Sequence, residues 1–291
     1  MAQTESTIAQ EIRIGRRYSP EIAWPTIRLA IGVYAGLAGS IWATVAGWLP
    51  YWAGGLLNTV ILYGTYTVVH EAVHNNIVPR NPRLRWLNAF LGFAICAPLW
   101  MFFYPHKKSH IVHHRKCNTD EDPDIYARGS FGLVTFWRIP LVTLSAFNPL
   151  ALRNECKRFD VSAPERRVSY ATFAIYAAVA VTIIAAGYGY QLLVLWFIPW
   201  FVGYSVMLVF FTWVPHHAHV ETGRYRNTRC SIWPGANWLT QGQHMHLIHH
   251  LMVWIPYYQY EQVFHEIRPL LERNDVMIDG FWPRSMDRST G

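Results

Sequence analysis

Histidine carries the chemistry that can be read most directly from this chain. Tyr104 to Asp124 reads YPHKKSHIVHHRKCNTDEDPD, with His106, His110, His113 and His114 offset by four, three and one. On a helix at least three of these rings project from one face, which is a metal-ligand spacing. The HxxHH offsets return in HMHLIHH as His246, His249 and His250, and HEAVH supplies His70 and His74 upstream. Three clusters on one chain imply one shared site. Of the 14 histidines, only His265 lies clear of these clusters or of the HHAH run at His216, His217 and His219.

Imidazole suits iron, copper, nickel and zinc, so ligand type leaves the metal open. Number narrows it. The clusters supply His70, His74, His110, His113, His114, His246, His249 and His250, whereas one tetrahedral zinc takes about four ligands. Two metals of higher coordination use most of the set. His217 reads as a ninth ligand, His106 and His244 as weaker candidates, and His216 and His219 as supporting or surface residues. The acidic run after the second cluster is either a solvated loop or a source of acceptors for the second ring N–H of a ligand. In the latter reading Asp120, Asp122 and Asp124 fix ligand tautomers, and Glu71 does so between His70 and His74. HEAVH also matches the zinc-protease pattern, but that chemistry would leave the other box histidines unused. No catalytic group beyond the metal ligands is visible.

The elements that must position these residues follow from charge. No Lys or Arg occurs from Leu29 to Pro79 or from Val168 to Gly223, although the chain has 25 of them in 291 residues. Each window is about twice the roughly 20 residues that cross a bilayer, so each reads as a helical hairpin. The expected spans are 27–49, 53–70, 170–188 and 192–213. By the positive-inside rule the basic termini and centre are cytoplasmic. The fold class is therefore all-α integral membrane, a single domain over 1–291. It has four transmembrane helices in two hairpins, a cytoplasmic tail at 1–26, and a cytoplasmic histidine-rich di-metal cap with the third box at 214–291. Trp86 to Tyr104 is long enough to cross, but crossing would put His106 and HEAVH on opposite sides of roughly 30 Å of hydrocarbon. It is expected instead to dip into the membrane or lie along it. Phe131 to Leu152, broken by Pro140 and Pro149, reads as an interfacial segment.

Composition closes other routes. A hydrophobic fraction of 52% suits a membrane protein with substantial polar parts. The four cysteines form no CxxC pair and read as ordinary thiols. The net charge of +7 is explained by topology, with no nucleic-acid recognition module in view.

The order of HxxxH, HxxHH and HxxHH relative to the spans resembles the membrane fatty-acid desaturase and hydroxylase superfamily, over roughly Tyr63 to Tyr260. Within it the chain looks most like bacterial and cyanobacterial carotenoid ring hydroxylases, on the stretches HHRKCNTDEDPD, VPHHAHVETGRYRNTR and QGQHMHLIHHLMVWIPYYQY. The resemblance implies two iron ions, O2 as co-substrate, and an external electron donor of ferredoxin or cytochrome b5 type with its reductase. It carries the ligand role onto the eight box histidines and His217. It also implies a bacterial inner membrane, with both termini and the active site cytoplasmic. His244 stands where relatives usually have Asn, and LMVWIP lacks a Leu-x-Pro turn. The leading expectation is hydroxylation of a hydrophobic substrate, a carotenoid β-ionone ring, with a fatty-acyl lipid desaturase or hydroxylase as the alternative. Metal transport is remote, because a transporter would place its ligands at mid-membrane rather than at span ends.

Overall fold

The computed structural model describes residues 7–283, so the parts of the expected tail and cap at 1–6 and 284–291 lie outside the described residues. The chain is mostly helical. α1 (Thr7–Tyr18) precedes α2 (Trp24–Val45), whose first turn contains Pro25, where a missing N–H costs nothing. α2 turns into α3 (Tyr51–Val73) through Gly47, whose φ of +82° disfavours any residue with a β-carbon.

α3 is the central post. α2 packs on one side of it, and α4 (Trp86–Cys96) and α9 (Ile198–Leu208) on others. Among the described residues, Trp24–Val45 and Ala163–His216 are long and apolar enough to cross a membrane. α3 is not, because Asn58, Thr59, Thr65 and Thr67 lower its hydropathy. Burial lets it be polar: Asn58 Nδ2 donates to the Leu195 carbonyl at 2.8 Å, and Thr65 Oγ1 to the Ile61 carbonyl at 2.8 Å. Its crossing with α9 is close, since a β-carbon on Gly203 would lie 2.7 Å from the Thr59 carbonyl oxygen.

The 54 residues of Ala163–His216 are two legs rather than one rod. In a straight helix Tyr176 and Trp196 would stand about 30 Å apart. Both instead pack on Trp100, with ring centroids 5.5 and 5.6 Å away. The reversal lies at Gly187, where φ is +88°. It separates α8 (Ala163–Ile183) from the leg that contains α9. Tyr190 then meets Tyr51 at 5.1 Å between ring centroids, so both tight turns share one end of the bundle. The histidines gather at the other.

The expected dip of Trp86–Tyr104 takes the form of a sharp bend. Trp86–Leu99 and α5 (Phe103–Lys116) meet at 100°, across Trp100 with φ +51°. The bend turns α5 back toward the end of α3. α6 (Phe131–Ser145) exposes Phe136, Trp137 and Leu141, as an interfacial segment would, and leads to α7 (Pro149–Arg158), capped by the Asn148 side chain.

A second, smaller core forms around α10 (His246–Leu251) and α11 (Tyr260–Arg273), where Leu247, Ile248, Val263 and Phe264 are fully buried. β1 (Cys230–Ser231) pairs in parallel with β2 (Ile278–Asp279) beside it. α1, within the expected cytoplasmic tail, is docked on this core. Its Glu11 is fully buried and accepts from Arg224 Nη2 and the Tyr225 hydroxyl, each at 2.7 Å.

Candidate metal centre

Each histidine box sits on the element that its spacing requires. His70 and His74 are one turn apart at the end of α3, while α5 carries His110, His113 and His114 and α10 carries His246, His249 and His250. The donor nitrogens of His70, His74, His110, His114 and His249 all lie within 4.8 Å of one another. Their Nε2 atoms form a chain, with His70 to His249 at 3.0 Å, His249 to His114 at 3.0 Å and His110 to His74 at 3.0 Å. His114 to His110 closes it at 3.1 Å. Metal–imidazole bonds of about 2.1 Å at right angles would separate neighbouring nitrogens by about 3.0 Å. The observed spacing matches that of ligands facing a common centre.

The second group comprises His113, His216, His246 and His250, again within 4.8 Å. His216 Nε2 and His250 Nε2 are buried without a hydrogen-bond partner, and each such atom costs about 1–3 kcal/mol if left so. A cation would satisfy them. The two groups adjoin, with the His114 and His250 rings 4.3 Å apart between centroids. Nine imidazoles in two adjacent sets fit a pair of first-row metal ions, iron among them.

The second ring nitrogens are held from behind. His113 Nδ1 donates to Asp122 Oδ1 at 2.8 Å and His246 Nδ1 to Gln243 Oε1 at 2.6 Å. His249 Nδ1 lies 2.9 Å from the Tyr260 hydroxyl, and His216 Nδ1 lies 3.4 Å from Cys117 Sγ. Such partners leave Nε2 free to face inward. Burial, then the neighbouring imidazoles, hold His110, His114, His246, His249 and His250 well below the usual histidine range, so they are neutral and ready to ligate. His113 differs. Burial would lower it, but the Asp124 and Asp122 carboxylates outweigh burial and raise it.

Several sequence expectations need correction. His217 belongs to neither group. Its ring packs on Trp213 at 4.4 Å between centroids, and it is His216 that stands in the second group. The helix ends at His216 and the chain is extended at His217, so the two rings diverge. His106 lies outside both groups, its Nε2 3.2 Å from the Tyr66 hydroxyl. His244 is also outside, its Nδ1 3.2 Å from Thr240 Oγ1. Asp120 is exposed and pairs with Arg128, away from every ligand. Asp122 is the acid that meets His113. Asp124 is farther, 3.6 Å from His113 Nδ1, and burial pushes its carboxyl up to about 6. Glu71 is 4.0 Å from His70 Nδ1 and accepts from the Tyr257 backbone N–H at 3.2 Å, so it ties the first box to the third-box segment. His219 is buried beside His216, at 5.7 Å between ring centroids.

Cys117, Gln243 and Tyr260 were not singled out from sequence. The signal for one of them was present, since Gln243 lies three residues before His246, whereas Cys117 meets His216 from 99 residues away. Tyr260 comes from a separate helix and carries no local sign.

A cavity of about 480 Å³ opens beside the first group. Tyr66, His106, His110, Asp124 and Thr212 line its inner end, and Trp100, Trp200 and Leu208 line an apolar arm. Thr212, Leu208, Tyr204 and Trp200 recur every four residues along one helical leg, so the cavity follows that leg for about 18 Å.

The chain is 24% identical over 277 residues to the sn-1 oleoyl-lipid 12-desaturase of Anabaena variabilis, covering 84% of this chain and 76% of that one. It is 25% identical over 280 residues to the corresponding protein of Picosynechococcus, covering 86% and 78%. A beta-carotene ketolase of Paracoccus is 34% identical over 70 residues, which is 23% of this chain and 26% of that one. The model of the fatty acid desaturase family matches residues 46–282, from the turn before α3 through all three histidine boxes. The chain therefore belongs to the fatty acid desaturase family, a family of oxidoreductases.

Proposed function

We propose that the protein is an integral membrane desaturase of fatty-acyl lipids, with hydroxylation as the alternative outcome at the same centre. Its nine ligands would be His70, His74, His110, His113, His114, His216, His246, His249 and His250, and its metals two iron ions. Bound iron would supply the O2-derived oxidant that an unactivated C–H bond demands. The chain supplies neutral ligands, their orienting partners and a slot that keeps water out. Electrons come from an external donor of ferredoxin or cytochrome b5 type. We read α3 as a span shielded by its neighbours, which with α2 and the two legs of Ala163–His216 makes four, and the distribution of Lys and Arg favours a cytoplasmic histidine end.

The observation that carries this reading is the cavity. It leads from the first histidine group along a helical leg to the aromatic wall of Trp100 and Trp200, a shape suited to a chain whose reacting carbon lies at one end of the slot. Its volume is within the range of about 300–1,000 Å³ for small-molecule sites. The relatives aligned along most of their length are named for oleoyl-lipid desaturation. That reverses the order expected from sequence, which put a carotenoid ring first. The carotenoid reading stays second, favoured by the 70-residue likeness to the ketolase.

Expression in a bacterial host that makes both β-carotene and monounsaturated lipids tests the two together. New polyunsaturated or hydroxylated acyl chains with unchanged pigment support the proposal. Oxygenated carotenoids with unchanged acyl chains overturn it in favour of the second reading.

A further inference from the structure

The acyl chain accounts for only part of the cavity, because its outer wall is charged. α7 contributes Ala151, Leu152, Glu155, Arg158 and Phe159 to the lining. These fall on one helical face, and along it the lining changes from apolar at Leu152 to charged at Arg158 within about 9 Å. Arg158 is exposed, and its guanidinium lies over the Phe159 ring, 5.1 Å from the centroid. Among the described residues it makes no ion pair. Glu155, one turn before it, is largely buried, and burial pushes its carboxyl up to about 7, so near neutrality a large share of it is an uncharged acid able to donate a hydrogen bond.

The position of this end is also informative. Lys108 Nζ lies 3.5 Å from the Asp160 carbonyl oxygen and 3.6 Å from Glu165, so the end of α7 sits beside the middle of α5, level with His106 and Ser109. The charged mouth and the histidine groups are therefore at the same end of the molecule, and the aromatic wall lies deeper in the bundle, against Phe147 just before α7. A purely hydrocarbon substrate has no use for an exposed guanidinium at the entrance, whose nearest charge partner, Glu155, is largely buried. An amphiphile does.

Resting on the acyl-lipid reading above, we propose that the mouth between α5 and α7 is a head-group subsite in which Arg158 holds the phosphate of a glycerophospholipid. Glu155 faces the less charged linker below that phosphate. The acyl chain passes the first histidine group and continues toward Trp100 and Trp200. Arg158 thereby selects which lipid class is used and helps to fix which carbon stops opposite the metals. Arginine suits the task because its planar fork offers paired donors to phosphate oxygens.

The test compares the purified, iron-loaded enzyme with Arg158→Gln, Arg158→Glu and Arg158→Lys. Each is given vesicles of dioleoyl phosphatidylglycerol or of a dioleoyl galactolipid that lacks phosphate, with a reductase and ferredoxin. For Arg158→Gln the ratio of phospholipid to galactolipid turnover should fall about tenfold, through KM rather than kcat, with a larger fall for Arg158→Glu and partial recovery for Arg158→Lys. Iron content and thermal unfolding report whether the variants are folded. An unchanged ratio in well-folded variants overturns the subsite while leaving the acyl-lipid reading intact. Wild-type enzyme that converts β-carotene but neither lipid overturns both.

Discussion

The proposed choice of His216 over His217 as ninth ligand gives the sharpest test of the centre. His216 supplies one of four nitrogens in the second group, and its Nε2 is buried with no other partner. His217 stacks on Trp213 and supplies none. Four-ligand structural sites bind a divalent metal with about 10–16 kcal/mol, or about 2.5–4 kcal/mol per ligand. Removing one nitrogen should therefore weaken the second metal by about 10²–10³-fold. Protein purified in mild detergent and assayed for metal by mass spectrometry should hold about two irons per chain as wild type and about one as His216→Ala. His217→Ala should retain both and lose at most the packing of one ring on Trp213. Loss of iron from His217→Ala with retention in His216→Ala would refute the assignment, and would show that the segment after α9 turns differently when metal is bound.

Three further outcomes follow from the same structure. Asp122→Asn removes the acceptor for His113 Nδ1 and should lower metal affinity or turnover about 10–100-fold, whereas Asp120→Asn, on an exposed residue, should change stability by no more than about 0.5 kcal/mol. Chelator-treated protein should lose stability as pH falls below about 6.5. The unfolded chain takes up protons there, while five of the buried histidines, held well below that value, cannot while folded. Each contributes up to about 1.4 kcal/mol per pH unit, and the raised His113, Asp124 and Glu155 oppose them in part. Thermal unfolding of the metal-free protein at pH 7.5 and 5.5 checks this, and equal midpoints would contradict it. Gly203→Ala should destabilise by about 1–3 kcal/mol, because the new β-carbon meets the Thr59 carbonyl at 2.7 Å and the Tyr63 nitrogen at 3.1 Å, both main-chain atoms. Gly39→Ala, with nothing within 4 Å, is the control and should be neutral or stabilising in a melting assay.

What could be read in advance divides by the range of the interaction. The three boxes were legible because ligands on one helix must recur at three or four residues, and the dip before α5 followed from the need to bring His110 within reach of His74. The choice between His216 and His217 was not legible, because it depends on helical phase. Residues Val209–Trp213 form a π-helical turn, which inserts an extra residue and rotates everything after it by about a quarter turn. Nothing in VFFTW announces that turn. The acidic run failed in part for a related reason. Asp122 wins over Asp120 because it also caps the turn at Pro123, accepting from the Asp124 and Asn118 backbone N–H groups at 2.9 and 2.7 Å. That fixes its carboxylate where His113 can reach it, while Asp120 is left to Arg128. α1 was missed because its partners are more than 200 residues away. Glu11 reads as solvated until Arg224 and Tyr225 are folded over it. Local periodicity therefore locates the ligands, whereas their orienting partners and the covering of the third box come from pairings between distant segments. Those same pairings position the histidines, so substitutions at Glu11 or Asp122 should appear in metal affinity as well as in stability.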